Sequence, residues 1–205
     1  QAPMYGGEVP DLEQLLRAIF YNTHFVLLLV IPAVVMSSFA EEKRTNTIRF
    51  LLSAPVSALQ IVLGKYLALV GIMSLVLVCS MVYPAFIIKY GNPDIGMIFS
   101  SYLGLFLLIA SQLAFGIWIS SLTTNQFLAF LFTMFGLFLL LILNWIAPSI
   151  GGGTLEGVLK YIASTTHLDN LFKGLVSVSD IFYFLCFIFL FLFFTVVVVD
   201  SQRWR

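Results

Sequence analysis

The stretch Ile98–Ser120, IFSSYLGLFLLIASQLAFGIWIS, decides the fold class of this chain. It contains no Asp, Glu, Lys or Arg. An α-helix needs about 20 mostly apolar residues to cross roughly 30 Å of hydrocarbon. A charged side chain at the centre of the bilayer costs on the order of 2.5–3.5 kcal/mol. The stretch therefore predicts a membrane-spanning helix.

Four further runs are equally long, apolar and free of charge. They cover about 20–39, 66–88, 127–147 and 181–199. Continuous apolarity favours helices over the strands of an outer-membrane barrel, which are about 10 residues long and alternate in polarity. The sequence predicts an all-α, polytopic membrane helical bundle with five spans, forming one transmembrane domain over residues 1–205.

The composition agrees with a membrane protein and excludes several other classes. The chain is 60% hydrophobic and 10% charged, with a mean hydropathy of +1.04, whereas a soluble domain carries about 25% charged residues. Ten basic and ten acidic residues give a net charge of zero, which excludes a strongly basic nucleic-acid binder. We therefore expect membrane lipid, and no nucleic acid, around this chain.

The basic residues near the span ends predict the orientation. One side of the predicted membrane collects six of them and the other side four; the six are Lys43, Arg44, Arg49, Lys65, Arg203 and Arg205. Because cytoplasmic loops carry the excess of Lys and Arg, the 40–65 loop and the C-terminus are predicted to be cytoplasmic and Gln1 external. An external N-terminus without a secretory signal suggests a further span upstream of Gln1.

Two external segments carry amphipathic stripes with helical spacing. The first, Asp11–Ile19, is either a helix lying in the membrane interface or the lead-in turn of the first span. The second, residues 148–180, predicts two short external amphipathic helices. Thr154 is the predicted N-cap of the first of these, and Ser179 or Asp180 that of the last span. This external helical loop is interpreted as a structural lid, with a functional gate as the alternative.

The cytoplasmic connection, residues 40–65, predicts a helix held between two spans. Two charge pairs open it at positions 41–44, and an apolar stripe follows at Ile48, Leu51 and Leu52. Pro55 ends this short helix, and Ser57 with Gln60 forms a capping box that starts the next one. A charged entrance with an apolar stripe is typical of a docking element for a cytoplasmic partner.

The same connection carries a recognisable spacing: Glu42, Thr47, Leu51-Leu52, Pro55 and Gly64-Lys65. This run resembles the first cytoplasmic loop of ABC-2-type transporter permeases, whose pattern is E-x-x-x-G-T-x-E-x-L-L-x-x-P-x-x-x-x-x-x-x-x-G-K. Asn46 and Arg49 replace the expected glycine and second glutamate. Within the family, this loop and the 167–183 region look closest to the gliding-motility-associated permease branch.

The resemblance implies an assembly larger than this chain. Family members have six spans, so the chain would hold spans two to six. Two permeases pair, as two copies or as paralogues, above two separate ABC ATPase subunits. The helix at 47–54 resembles the coupling helix that fits a groove on the ATPase and transmits ATP-driven closure to the spans. The substrate path would lie between the two permeases.

The resemblance also implies which residues couple to the ATPase and where the chain works. Family members are permeases of the bacterial plasma (inner) membrane and mostly exporters, and the motility branch suggests an auxiliary subunit with an external domain. The residues that match the coupling loop are Glu41, Glu42, Lys43, Arg44, Thr47, Ile48, Arg49, Phe50, Leu51, Leu52, Ser53, Pro55, Gly64 and Lys65.

No cofactor is expected in this chain, since ATP and Mg would be bound by the partner ATPase. A phosphate-binding loop needs G-x-x-x-x-G-K-[ST], but Leu59 and Tyr66 occupy the positions of its first glycine and its hydroxyl residue. Lys65 is instead predicted to extend towards the lipid headgroups. The chain is therefore not expected to be an enzyme.

Three other functions remain as alternatives. An intramembrane enzyme or an ion-coupled secondary transporter needs ionisable groups within the spans, and none of the five runs contains an Asp, Glu, Lys or Arg. His24 and His167 are interpreted as structural histidines. A non-transporting structural membrane subunit is the third alternative.

Aromatic and small residues within the spans have packing explanations as well as functional ones. Two aromatic stripes could line an apolar path, but lipid contact and helix packing explain them at least as well; they are Phe127, Phe130, Phe135 and Phe138, and Phe184, Phe187, Phe191 and Phe194. The small residues of the 98–120 span could permit close helix approach; they are Gly104, Ala110, Ser111, Ala114 and Gly116.

Overall fold

A computed structural model describes residues 12–47, 56–90, 94–150 and 154–202. These residues form helices and no β-strand, which confirms the predicted all-α class. The helices are α1 (Leu12–Val35), α2 (Ser37–Arg44), α3 (Ala58–Ser80), α4 (Val82–Tyr90), α5 (Ile95–Leu122), α6 (Gln126–Ile146), a short 3₁₀ turn (Ala147–Ile150), α7 (Thr154–Ile162), α8 (Ser164–Phe172) and α9 (Val178–Ser201).

Five helical segments of the described residues are long and apolar enough to cross a membrane. They are Gln14–Arg44, Ala58–Lys89, Ile95–Leu122, Gln126–Ile146 and Val178–Ser201. Each contains the run that the sequence predicts, except that Ala147 already belongs to the 3₁₀ turn. The helices extend beyond the apolar runs because their first and last turns include polar residues. The prediction of a five-span bundle is confirmed.

The stretch after Asp11 is not a separate interfacial helix. Helix α1 begins at Leu12 and continues to Val35, so residues 12–19 are the first turns of the first span. No glycine or proline separates these residues from the span. Leu16 and Phe20 are buried on the same face of the helix. Of the two alternatives for this stretch, the lead-in turn is therefore correct.

Two spans are interrupted by a single residue close to a proline. Helices α1 and α2 meet at Met36, four residues after Pro32, and α3 and α4 meet at Met81, three residues before Pro84. Proline has no backbone N–H, so the carbonyl four residues earlier loses its helical donor. For Pro84 that carbonyl belongs to Ser80, and Tyr102 Oη of α5 donates to it at 3.1 Å. A side chain from a neighbouring helix thus satisfies the group that the proline leaves free.

Helix α5 is the centre of the bundle. Its apolar window is 78% buried, whereas the other four spans reach 44% at most. It packs against α1, α2, α3, α6, α8 and α9. A Cβ atom at Gly104 would lie 3.0 Å from Leu171 Cβ, and one at Gly116 would lie 3.0 Å from Val35 Cγ1. For Gly104 and Gly116, the prediction that small residues on this span permit close helix approach is confirmed.

The two short external helices that the sequence predicts are present as α7 and α8. Helix α8 packs on α5 and α6, and Ser100 Oγ of α5 donates to Leu171 O at 2.7 Å. Thr154 is the first residue of α7 rather than the residue that precedes it. The interpretation of these helices as a structural lid, with a functional gate as the alternative, stays a prediction.

His167 of α8 is hydrogen-bonded to Asp180 at the start of the last span. Its Nδ1 lies 2.6 Å from Asp180 Oδ1 and its Nε2 lies 3.1 Å from Tyr161 O. The imidazole also stacks on the Tyr183 ring with 4.1 Å between centroids. The interpretation of His167 as a hydrogen-bonded structural residue is confirmed.

The predicted cap of the last span is wrong. Helix α9 begins at Val178, after an N-cap residue, Ser177, whose side chain makes no capping hydrogen bond. Asp180 lies inside the first turn and is 3% exposed. Its carboxylate accepts from the side chains of His167 and Asn170 instead. The Asp180 carboxylate therefore makes tertiary hydrogen bonds instead of the helix cap that the local sequence predicts.

The aromatic stripes divide between packing and the lipid-facing surface. Phe191 contacts Phe115 of α5 edge-to-face at 5.0 Å and packs against Phe187 at 4.5 Å. Phe127 and Phe135 of α6 are instead 64% and 66% exposed. Helix packing accounts for Phe187 and Phe191. The exposed rings of Phe127 and Phe135 are open to lipid contact, and their lining of an apolar path stays a prediction.

Candidate functional site

The predicted coupling residues that the structure describes meet where α2 ends, α3 begins and α5 ends. This end of the bundle, comprising residues 37–47, 56–65 and 120–123, is named the junction below. Residues 48–55 connect its two sides along the chain and lie outside the described residues. The junction is therefore the described part of the predicted coupling loop, together with the end of α5 on which it rests.

Helix α3 starts at the junction with the predicted capping box. Ser57 Oγ accepts from Gln60 N at 3.3 Å, and Gln60 Oε1 accepts from Ser57 N at 3.0 Å. These bonds satisfy two N–H groups that a helix start leaves without partners. Gly64 is exposed in the next turns, and a Cβ atom there would meet nothing within 4 Å. Its lack of a side chain is thus not required by packing within the described chain.

Helix α2 ends at the junction in a tight turn. Both the backbone N and Oγ1 of Thr45 donate to Glu41 O at 2.9 Å. Asn46 then adopts a left-handed backbone with φ of 57°. Glycine and asparagine are the residues that enter this conformation most readily after a helix. The replacement of the pattern's glycine by Asn46 therefore preserves the backbone turn.

Lys65 joins the two sides of the junction. Its Nζ lies 2.5 Å from Glu42 Oε1 and 2.5 Å from Ser38 O, both on α2. It also lies 4.6 Å from the centre of the Phe39 ring, a cation–π contact. The side chains of Lys65 and Glu42 are only 23% and 28% exposed. The prediction that Lys65 extends towards the lipid headgroups is wrong, because its ammonium group holds α3 against α2.

Two serines at the end of α5 complete the junction. Ser120 Oγ accepts from Phe39 N at 3.1 Å and from Ala40 N at 3.2 Å, and it donates to Met36 O at 3.2 Å. Lys43 Nζ of α2 donates to Ser121 O. The N-cap residue of α2, Met36, offers no side-chain hydrogen bond of its own. Helix α5 therefore supplies the cap that α2 lacks.

Sequence reasoning did not identify Ser120 and Ser121 as site residues. A signal was present, since Ser120 lies four residues after Gly116, on the face of α5 that bears the small residues. A serine that continues such a face at the end of a span can bond to the backbone of the helix that packs there.

The structure brings some of the predicted coupling residues together and leaves others apart. Glu42, Lys43 and Lys65 are part-buried and hold helices in place. Glu41, Arg44, Thr47 and Gly64 are exposed on the surface of the junction. The remaining residues lie outside the described part of the chain; they are Ile48, Arg49, Phe50, Leu51, Leu52, Ser53 and Pro55.

A groove of about 380 Å³ opens between α2 and α3 at the junction. It is lined by Ser37, Ser38, Glu41, Glu42, Lys65, Ala68 and Leu69. The described residues contain no group of three or more side chains that could hold a metal ion. The groove presents the polar groups of Ser37, Ser38, Glu41, Glu42 and Lys65 at the junction surface.

Comparison with known proteins relates the whole described chain to one family. The family model described as "ABC-2 family transporter protein" matches residues 11–202. No curated protein and no solved structure matches the chain. The match covers the five spans, both sides of the junction, and helices α7 and α8.

Proposed function

The chain belongs to the ABC-2 transporter family, and from this premise we propose that it forms the translocation path of an ABC exporter. As a member, it is the multi-pass permease component of an ABC transporter. The catalytic role, ATP hydrolysis, lies in partner ATPase subunits. The direction of transport, the docking residues and the assembly are parts of the proposal.

The junction is the observation that carries this proposal. The connection at 48–55 leaves from α2 and returns to α3, and Lys65 ties these two helices together through Glu42 and Ser38 O. A partner that pushes on the connection would therefore move both flanking spans as one unit. Exposed Glu41 and Arg44 lie beside the connection as polar contacts for that partner.

The proposed assembly follows from the resemblance of the loop. An ABC ATPase subunit docks on residues 41–65 from the cytoplasm and binds ATP and Mg, while two permeases pair around the substrate path in the bacterial inner membrane. The Lys and Arg bias supports a cytoplasmic junction and C-terminus. The gliding-motility branch and its auxiliary external subunit stay predictions.

An ion-coupled secondary transporter finds no support in the described residues. Such transporters place ionisable side chains at the membrane midplane. The buried carboxylate of the described chain belongs to Asp180, which lies in the first turn of α9 and bonds to His167 and Asn170. These hydrogen bonds hold α8 against the start of α9.

Binding to the ATPase tests the proposal. The tagged chain is purified from native membranes, and the ATP-hydrolysing subunit that co-purifies is titrated against the wild type and Leu51→Asp. We expect the variant to bind at least about tenfold more weakly, because a carboxylate placed on an apolar docking stripe must be desolvated.

The matched control is Leu175→Asp, the same change at an exposed external position. We expect it to leave ATPase binding unchanged. Failure of the wild type to bind any ATP-hydrolysing subunit would contradict the proposed function. Equal effects of the two variants would contradict the assignment of the docking site.

A further inference from the structure

Helices α2 and α5 cap each other at the junction. The first N–H groups of a helix and its last carbonyls have no partners within that helix. Ser120 Oγ of α5 accepts from Phe39 N and Ala40 N in the first turn of α2. Lys43 of α2 returns a hydrogen bond to Ser121 O at the end of α5. Each helix thus satisfies free backbone groups of the other.

Both ends of the 48–55 connection reach α5 through this contact. Helix α2 precedes the connection directly, and α3, which follows it, is held to α2 by Lys65. Ser120 is fully buried, so water does not compete for its hydroxyl. Met36, immediately before α2, lies in a turn between α1 and α2 and still donates its N–H to Pro32 O at 3.0 Å. Helix α2 is therefore joined to α5 by side-chain bonds and to α1 by the continuous backbone.

Helix α5 continues from the junction to the external helices. At its other end Ser100 Oγ donates to Leu171 O of α8 at 2.7 Å. Close to that bond, a Cβ atom at Gly104 would lie only 3.0 Å from Leu171 Cβ. One continuous helix thus contacts α2 at one end of the bundle and α8 at the other.

We propose that α5 receives the movement of the coupling loop through Ser120 and Ser121 and carries it to α8. Ser120 and Lys43 are positioning residues in this mechanism: they touch neither nucleotide nor substrate, and they set how far α2 and α5 move together. The inference rests on the proposed function. It adds that the response crosses the membrane through the buried central helix and ends at the external helices.

The test separates transmission from docking. In a chain carrying Cys79→Ala, Cys186→Ala and the reporter Lys173→Cys, directly after α8, maleimide labelling is measured with and without ATP and vanadate. The same samples are assayed for ATPase binding and ATP hydrolysis. Ser120→Ala removes the side-chain contact of α5 with α2, and Ser100→Ala removes its contact with Leu171 O of α8. Ser111→Ala is the matched control because, among the described residues, its hydroxyl bonds only to Leu108 O of α5 itself.

We expect both test variants to bind the ATPase and hydrolyse ATP within about twofold of the wild type. The nucleotide-dependent change in labelling should fall at least about fivefold, the factor for the loss of a single hydrogen bond. Ser111→Ala should retain the change. Thermal unfolding in detergent identifies a variant that fails to fold. The labelling of the other variant then tests the inference.

The other outcomes overturn the inference in distinguishable ways. Unchanged labelling in both variants, the same loss in Ser111→Ala, or a loss of ATPase binding in the test variants would show that α5 does not transmit the movement. A wild type that binds and hydrolyses ATP without any change at position 173 would also overturn it, while leaving the proposed function intact. Failure of the wild type to bind any ATPase would contradict both this inference and the proposed function.

Discussion

Gly136 of α6 lies where the ring of Phe115 passes over the helix backbone. A Cβ atom at this glycine would come within 2.7 Å of Phe115 Cε1. The ring cannot retreat freely, because it contacts Phe191 at 5.0 Å and Trp118 at 5.9 Å between centroids. Nothing in the local sequence distinguishes this glycine, since the ring that covers it comes from a different span.

This contact predicts the effect of a single methyl group. Gly136→Ala is expected to lower the free energy of unfolding by about 1–3 kcal/mol, since the ring cluster must shift to accommodate the overpacked carbon. The measurement is unfolding of the purified chain by sodium dodecyl sulfate in mild detergent micelles, followed by tryptophan fluorescence.

Gly71→Ala is the matched control for this prediction. Gly71 lies within α3, and a Cβ atom there would meet nothing within 4 Å. Alanine is better than glycine within a helix by about 1 kcal/mol, so this change should be neutral or stabilising. If both substitutions had the same effect, close approach would not be the reason for glycine at position 136.

At the scale of helices, a side chain of another span bonds to the chain where α3 passes into α4. Pro84 deprives Ser80 O of its helical donor, and Tyr102 Oη supplies one at 3.1 Å. Tyr102 is 7% exposed, and its bond to Ser80 O is part-buried. A buried carbonyl without a donor costs free energy comparable to a lost hydrogen bond. The proline and the tyrosine are thus expected to act together.

A double-mutant cycle tests this dependence. Tyr102→Phe should lower the free energy of unfolding by about 1–2 kcal/mol, because it leaves Ser80 O without a donor. In a Pro84→Ala background the new backbone N–H reaches Ser80 O, so the same change should cost roughly half as much or less. The cycle is measured by the same detergent unfolding assay.

Tyr66→Phe provides the comparison for the cycle. Tyr66 Oη donates to Ala110 O at 3.2 Å, a carbonyl that no proline has freed. Tyr66→Phe should therefore lower the free energy of unfolding by the same amount whether position 84 is Pro or Ala. Equal costs of Tyr102→Phe in the two backgrounds would show that the tyrosine does not compensate for the proline.

At the scale of the whole molecule, the elements gather at two opposite ends of the bundle. Helices α2, α3 and α5 meet at the junction, where Lys43 and Lys65 make their hydrogen bonds. Helix α8 lies at the other end of α5, where Ser100 bonds to Leu171 O. Since Lys and Arg concentrate in cytoplasmic loops, we expect the junction inside the cell and α8 outside.

Sidedness can be measured on intact cells. In a chain carrying Cys79→Ala and Cys186→Ala, Ser177→Cys is expected to react with a membrane-impermeant maleimide, and Asn46→Cys only after the membrane is opened with detergent. Both positions are exposed in the structure. Labelling of Asn46→Cys in intact cells, with Ser177→Cys protected, would invert the orientation and rule out the proposed docking of a cytoplasmic ATPase.

Several features of this protein followed from local sequence alone. The five spans were readable because a bilayer imposes a minimum length of apolar helix. The start of α3 was readable because Ser57 and Gln60 satisfy backbone groups within three residues of each other. The resemblance of the 42–65 run to a family loop was readable because it depends on spacing along the chain.

The rest was decided by the tertiary structure. Asp180 bonds to His167 of α8 instead of capping its own helix, and Lys65 bonds to Glu42 of α2 instead of extending to lipid. Ser120 caps a helix 80 residues away in the chain. In each case a polar side chain has several possible partners, and burial between particular helices selects one of them, because an unpaired polar group is costly there. Apolar length along the chain therefore determined the spans, and packing between the spans determined what their polar residues do.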